Sequence, residues 1–251
     1  MTARMPDVRP PSPPLAAAGS TLIRDGFAFA GADEMRAALA EAGGRDWEGF
    51  AASWDDLGLD RYMADGGRYR RRRHAAFALA ADGTITRKPH QPHYQSRDYN
   101  TLNGGVERWF APVTDAIGTH PMTLATLATA RDLFTPRTPP DLRPSSWHAE
   151  LHQFRIEAEP GGEGRPTPEG MHRDGVDWVL VMLIARANVA SGQTTIGDLR
   201  RREVGQFTLA EPGDTALVDD FRVYHGVTAI HPLDPALPAH RDVLVLTLRR
   251  G

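Results

Sequence analysis

From residue 145 to the C-terminus the chain is a succession of short apolar segments, and this most restricts what it can become. They read "WHAELHQFRIEA", "DWVLVMLIAR", "QTTIGDL", "GQFTLA", "DTALVDD", "RVYHGVTAI" and "RDVLVLTLRR". All are rich in Val, Leu, Ile and Thr, and Gly, Pro and Asp separate them. No helical segments alternate with them, so an antiparallel jelly roll fits and a βαβ sheet does not.

The first part of the chain reads differently. "DEMRAALAEAG" (33–43) has helical periodicity with a Gly stop, and "DWEGFAASWDDLGL" (46–59) reads as a second helix. "GRYRRRRHAAFALAADGTITR" has the form of a hairpin turning at its "DG". Residues 106–134 read as helix with a break near "GTHP". The expected class is mixed α+β: a double-stranded β-helix (cupin-like) core at about 145–251 under a helical layer at about 20–140. Together they form one domain, 20–251, behind a flexible tail, 1–19, rich in Pro, Ala and Ser.

Composition excludes several chemistries. With no cysteine, thiolate metal sites, disulfides and a cysteine nucleophile are ruled out, while ten histidines leave nitrogen and oxygen ligation open. A net charge of -3 gives no bias towards nucleic acid or anionic membrane. "WVLVMLIA" is too short to span a bilayer, and the N-terminus lacks a secretory h-region. The expectation is a cytoplasmic monomer or homodimer with a small-molecule substrate and no nucleic-acid or membrane partner. The run "RYRRRR" (68–73) is read as a solvated strand or a structural arginine network.

Within the β-rich half, "MHRDGVDW" sets His172 and Asp174 one residue apart. On a strand they would share a face; the plainer alternative is a turn before a buried strand. A second histidine, His225, is followed by Gly226, which would allow close backbone approach. If a jelly roll brings them together, two His and one carboxylate form the facial triad of non-haem Fe(II) oxygenases. Arg241 opens the last strand and would be a fork for the distal carboxylate of a dianionic co-substrate. The alternative for Arg241 is an ion pair with Asp242 or Asp214. "HRD" also occurs in the protein-kinase catalytic loop, but Val179 stands where that loop needs Asn and there is no glycine-rich phosphate loop.

With these motifs, the chain resembles the iron(II)/2-oxoglutarate-dependent dioxygenases of the bacterial isoleucine-dioxygenase-like branch. The resemblance rests on "HRDGVDWVLVMLIARANVASGQTT", "EPGDTALVDDFRVYHGVTAI" and "RDVLVLTLRR", with "LHQFRI" and "YNTLNGGVERWFAP" in support. It implies Fe(II) on His172, Asp174 and His225, and 2-oxoglutarate on Arg241. Dioxygen would be the other co-substrate, with succinate and carbon dioxide as co-products. Asp174 keeps the carboxylate that the related halogenases lose. Sixteen residues separate His225 from Arg241, longer than the commonest spacing, and "HPLDPALPAH" accounts for the excess.

Further candidates follow. Thr194 would bond a 2-oxoglutarate carboxylate or be an ordinary strand threonine. Tyr94, Gln95, Asn100 and Asn103 lie in a polar loop suited to a substrate lid. Trp178, of the same parity as His172 and Asp174, would line the pocket or pack in the core; His152 and Phe154 would face the interior. The implied activity is hydroxylation of a free amino acid or small derivative. The alternatives are oxidation, desaturation or ring closure of a carrier- or peptide-bound residue, and a metal-binding sensor without turnover.

Overall fold

The protein is described by a computed structural model that covers residues 13–100, 102 and 104–250. Helix α1 (Ala16–Asp25) leads into strand β1 (Phe27–Ala30), followed by α2 (Ala32–Glu41) and α3 (Trp47–Ala52). A hairpin of β2 (Arg70–Ala80) and β3 (Ile85–Arg87) precedes α4 (Asp115–Gly118) and α5 (Pro121–Phe134). Then come β4 (Ser146–Ala158), β5 (Trp178–Ala187), β6 (Val189–Ser191), β7 (Gln193–Gly197) and β8 (Glu203–Thr208). Strands β9 (Thr215–Asp219), β10 (Tyr224–Val227), β11 (Ile230–Pro232) and β12 (Ala239–Arg250) complete the chain.

A seven-stranded antiparallel sheet in the order β1-β9-β5-β12-β4-β2-β3 is the frame. A second sheet, β10-β7-β8, and the pair β11-β6 complete the jelly roll. The large sheet is divided by side-chain parity. Leu244, Leu246 and Leu248 of β12, Trp147, Ala149 and Leu151 of β4, and Leu180 and Met182 of β5 pack with the helices in one core. Their sequence neighbours, among them His152, Phe154, Val179, Val181, Val243 and Val245, line a cavity on the other face. Strand β5 is buried on both faces, which explains its unbroken apolar run.

Several expectations change. The helix expected over 46–59 is only α3 followed by a 3₁₀ turn, Ser53–Asp56. Residues 106–114 are not helical. They lie extended because Ala111 and Val113 bond to the backbone of His74, and Arg108 pairs with His93. The break at "GTHP" is present, between α4 and α5. The N-terminal part is not purely helical: β1 and the β2–β3 hairpin extend the large sheet at both edges. The expected tail ends earlier, since Leu15 and Ala18 are buried in the helix-side core; residues 1–12 lie outside the described part. Among the described residues no helix is long and apolar enough to cross a membrane.

Trp178 turns away from the cavity. Its ring stacks on Phe134 at 5.1 Å, and its indole N–H donates to Thr138 Oγ1 at 3.0 Å. The shared parity with His172 and Asp174 fails because those two residues precede β5 in a turn rather than continuing it. Trp178→Ala should therefore cost stability, about 3–5 kcal/mol for a buried large-to-small change. Chemical denaturation would read this, and 2-oxoglutarate binding by the folded variant should be retained. A variant with unchanged stability and weakened binding would put Trp178 in the pocket.

Candidate active site

The site begins with a backbone contact. His172 and His225 exchange two N–H···O bonds, each 2.9 Å, which set their rings 4.6 Å apart. Gly226 makes this approach possible, for a Cβ there would lie 3.2 Å from the Met171 backbone. Asp174 reaches both rings: Oδ1 is 3.6 Å from His172 Nε2, and Oδ2 is 3.5 Å from His225 Nε2. These separations are long for hydrogen bonds and suit donors arranged around one ion. His172 Nδ1 donates to the Gly170 carbonyl at 3.1 Å, which makes Nε2, on the side of Asp174, the atom that a metal would take on displacing its proton.

Asp174 is not on a strand. A tight turn holds it, fastened by the buried Asp220 carboxylate. This accepts the backbone N–H groups of Asp174 (2.9 Å), Gly175 (2.7 Å) and Val176 (3.2 Å). Gly175 has φ +77°, and a Cβ there would sit 2.6 Å from the Tyr99 ring, so the glycine after the HxD pair has a steric reason. Gln95 Nε2 donates to both the carbonyl (3.1 Å) and Oδ1 (3.2 Å) of Asp174.

The electrostatics reflect three donors crowded together in a buried site. Burial works against a charge on His172, but the Asp174 carboxylate pushes its pKa up to about 9. Burial, aided by the charge on His172, pushes His225 down to about 4. Asp174 is held below the usual carboxylate range because the two imidazoles outweigh its burial. Burial and the Asp174 charge push Asp220 up to about 7. Two imidazoles and one carboxylate, all nitrogen and oxygen donors within 4.8 Å, match the donor set of a facial iron(II) site.

Arg241 lines the same cavity, is 2% exposed, and has no partner for Nε or Nη2. Its two suggested ion-pair partners are engaged elsewhere. Asp242 takes a two-pronged pair from Arg155 at 2.8 and 2.7 Å, and Asp214 accepts backbone N–H groups of Ala32, Ala210 and Glu211. Burial, with Arg186 nearby, lowers its pKa to about 10. A guanidinium kept without an anion in a closed site fits an acidic ligand.

Of the other candidates, Tyr94, Gln95, Asn100, His152 and Phe154 line the cavity, and Tyr94 is 60% exposed at its mouth. Thr194 is buried on β7 but is not in the lining, and Asn103 lies outside the described residues. "RYRRRR" divides by parity. Arg71 and Arg73 face outward to Glu157 and Asp56, while Arg70 and Arg72 face the cavity and share Asp60.

Arg108, Glu150 and Glu169 are cavity residues that sequence reasoning missed. Glu150 is a hub. His93 Nδ1 lies 2.5 Å from it, His148 Nε2 3.3 Å, His152 Nε2 3.6 Å and His74 Nε2 3.8 Å. His74, His93, Glu150 and His152 thus also bring ligand-type atoms within 4.8 Å. A cation on one of these rings, His152, decides against a second metal cage, and another fixes the neighbouring His148. Arg72 Nη2 lies 2.8 Å from His152 Nδ1, and Lys88 Nζ 2.7 Å from His148 Nδ1. Arg and Lys only donate, so both rings carry their proton on Nε2 and present it to Glu150. The group is a hydrogen-bonded network around one anion.

A jelly roll with a two-histidine, one-carboxylate site and an unpaired deep arginine defines the class of non-haem iron oxygenases that use an acidic co-substrate. Comparison gives the family: the profile described as 2OG-Fe dioxygenase matches residues 51–247, and the chain belongs to that family. Iron(II), 2-oxoglutarate and dioxygen are its reactants. The solved structure of a bsmA homolog from Methylobium petroleophilum PM1 is 37% identical, with a TM-score of 0.84 over 99% of this chain and 98% of that one. The chain is 28% identical to an L-isoleucine-4-hydroxylase of Bacillus thuringiensis over 62% of its own length and 64% of that protein, just under two thirds. It is 25% identical to a 3(1)-hydroxy-L-isoleucine 4-dioxygenase of Pantoea ananatis over 92% of this chain and 94% of that one.

Removing the fastening of the Asp174 turn should loosen the site without touching a donor atom. Asp220→Ala is expected to weaken iron(II) affinity about 10- to 100-fold, the usual cost of losing an outer-shell partner. Equilibrium metal titration measures this; unchanged affinity would show that the turn holds itself.

Proposed function

We propose that this protein is an iron(II)- and 2-oxoglutarate-dependent oxygenase that hydroxylates a free amino acid, releasing succinate and carbon dioxide. The observation that carries the reading is the joint presence, in one cavity, of the His172–Asp174–His225 donor set and the unpaired Arg241. The donors leave one side of a metal open, as this chemistry requires. The names of the two curated relatives, both isoleucine oxygenases, support an amino-acid substrate, and the aliphatic lining of Val179, Val181, Val243 and Val245 suits a hydrocarbon side chain.

When bound, the iron together with 2-oxoglutarate and dioxygen supplies an oxidant able to break an aliphatic C–H bond. The chain's own part is placement. His172 Nε2, Asp174 and His225 Nε2 hold the metal from one side, and the Gly170 carbonyl fixes the His172 tautomer. Arg241, buried in the same cavity without an ion-pair partner, would pair with a carboxylate of 2-oxoglutarate and so orient it. The valines exclude water, which strengthens the charge pairs inside. Asp174 occupies the position that a halide would need, which favours oxygen insertion over halogenation. Dependence on reduced iron and a central keto acid fits the cytoplasmic location expected from the sequence. Every group named belongs to one chain, so the reading holds for a monomer or a homodimer.

The test is a panel of free amino acids with iron(II), ascorbate and 2-oxoglutarate, read by mass spectrometry. The expected product carries one added oxygen, with succinate formed above the uncoupled rate. Several aliphatic amino acids should be accepted, because one methylene is worth only about 1–3 kcal/mol of discrimination. Products lacking two hydrogens would show desaturation or ring closure. Turnover only with a carrier- or peptide-bound residue would replace the free-amino-acid reading, and no succinate with any substrate would leave a sensor. Arg241→Gln should raise the KM for 2-oxoglutarate by about 30-fold or more, the scale of one lost buried charge pair, with iron affinity retained. His225→Ala should fold but lose iron binding.

A further inference from the structure

Arg241 is not the only buried cavity charge without a close ion-pair partner. Among the lining residues, Arg108 is 3% exposed and its Nε has no partner. Its nearest polar contact is a long one, Nη2 to Gln95 Oε1 at 3.4 Å, and no carboxylate of the described residues lies within 4 Å of it. Glu169 is the opposite case. Its side chain is 8% exposed, Oε1 accepts from Asn100 Nδ2 at 3.2 Å, and the buried Oε2 has no partner. No lysine or arginine of the described residues lies within 4 Å of Glu169; its charged-type neighbour is His172 Nδ1 at 3.8 Å, which already donates to Gly170.

The other buried cavity charges have an opposite charge at hand, although Arg70 Nη2 and Arg72 Nε have no hydrogen-bond partner and Arg249 lies exposed. Arg70 and Arg72 share Asp60, and Glu150 is encircled by imidazole N–H groups. Among the buried lining charges, two guanidiniums, Arg108 and Arg241, and one carboxylate, Glu169, are therefore left without an oppositely charged Lys, Arg, Asp or Glu within 4 Å. A 2-oxoglutarate carboxylate accounts for one guanidinium. The remaining pair, one cation and one anion, is complementary to a zwitterion.

We propose that Arg108 and Glu169 form a clamp for the free amino-acid substrate, Arg108 taking its α-carboxylate and Glu169 its α-ammonium. This rests on the amino-acid reading above and specifies which residues recognise the class. The clamp is tied to the metal site on both sides. Gln95 contacts Arg108 through Oε1 and Asp174 through Nε2, and Glu169 precedes His172 by one turn of chain. Gln95 and Asn100 belong to one compact loop, closed by Gly105 N–H to Gln95 O (2.8 Å) and Asn100 N–H to Ser96 O (3.0 Å). That loop orients both poles, acting as positioning residues. A substrate fixed at its α-carbon then extends its side chain towards the valine lining, which puts a mid-chain carbon nearest the metal.

The test uses L-isoleucine, its primary amide, which lacks the carboxylate, and 3-methylpentanoate, which lacks the ammonium. Binding is measured by calorimetry on protein loaded with Mn(II) and 2-oxoglutarate, alongside KM with iron(II). Arg108→Gln should weaken L-isoleucine about 10- to 100-fold while leaving the amide unchanged, since the amide has already lost that contact. Glu169→Gln should weaken L-isoleucine similarly and leave 3-methylpentanoate unchanged. Arg108→Lys, which keeps the charge but not the fork, should lose less. The Kd for 2-oxoglutarate should be the same in all of them, which also reports that the site is folded. The clamp is overturned if wild-type protein turns over free amino acids but both variants bind L-isoleucine normally, or if Arg108→Gln weakens 2-oxoglutarate instead. If the wild-type protein acts only on carrier- or peptide-bound residues, the amino-acid reading itself fails, and the clamp with it, because such substrates do not carry both a free α-carboxylate and a free α-ammonium.

Discussion

A slip of one residue between β12 and β4 would carry Leu244, Leu246 and Leu248 into the cavity and Arg241, Val243 and Val245 into the helical core. Register here is therefore fixed by the two faces, each of which penalises the other's residues. Leu246 pairs with Leu151 on β4 and Leu180 on β5; Val245 pairs with His152 and Val181. The Leu row binds the helices to the sheet, and the alternate row carries the chemistry. Trp54 adds a pin, its indole N–H lying 3.1 Å from the Phe154 carbonyl and 3.3 Å from that of Val243, so the helical layer also reads the register.

On the cavity side the strands deliver charges in rows. Arg70 and Arg241 flank Ile156, Arg72 flanks Phe154, and His74 flanks His152. Burying so many polar groups is costly unless each finds a partner. Most do, through Asp60 and the Glu150 hub. Arg72 is further shielded between the rings of Phe110 and Phe154, at 3.5 and 4.2 Å. Against this background Arg108, Arg241 and Glu169 are informative, because these buried charges without an ion-pair partner line one cavity beside one donor set.

The alternation that defines this frame was legible in the chain. "WHAELHQFRIEA" and "RDVLVLTLRR" show it directly, and the jelly-roll class follows from such segments without helices between them. His172, Asp174, His225 and Arg241 could be named because short local patterns mark them. The turn that holds Asp174 could not be read, since Asp220, 46 residues on, makes it. Nor could the extended path of residues 106–114, where pairing with His74 and His93 overrides helical periodicity. Arg108 and Glu169 lie in no motif. Their significance comes from which neighbours they lack, a property of the folded state alone. Arg70 and Arg72 were closer to reach: a period-two reading of "RYRRRR" separates inward from outward arginines.

The unpaired groups also bear on how such a site stays stable before its ligands arrive. A buried guanidinium without an ion-pair partner costs stability, and the pKa of Arg241, lowered to about 10 by burial, records that cost while leaving the group charged at neutral pH. Binding an acid to it then recovers interaction energy that the fold itself does not use, which couples occupancy to stability. Arg108, buried with no carboxylate within 4 Å, is a second guanidinium to which the same linkage applies, so under the proposed clamp each acid bound would add its own increment of stability.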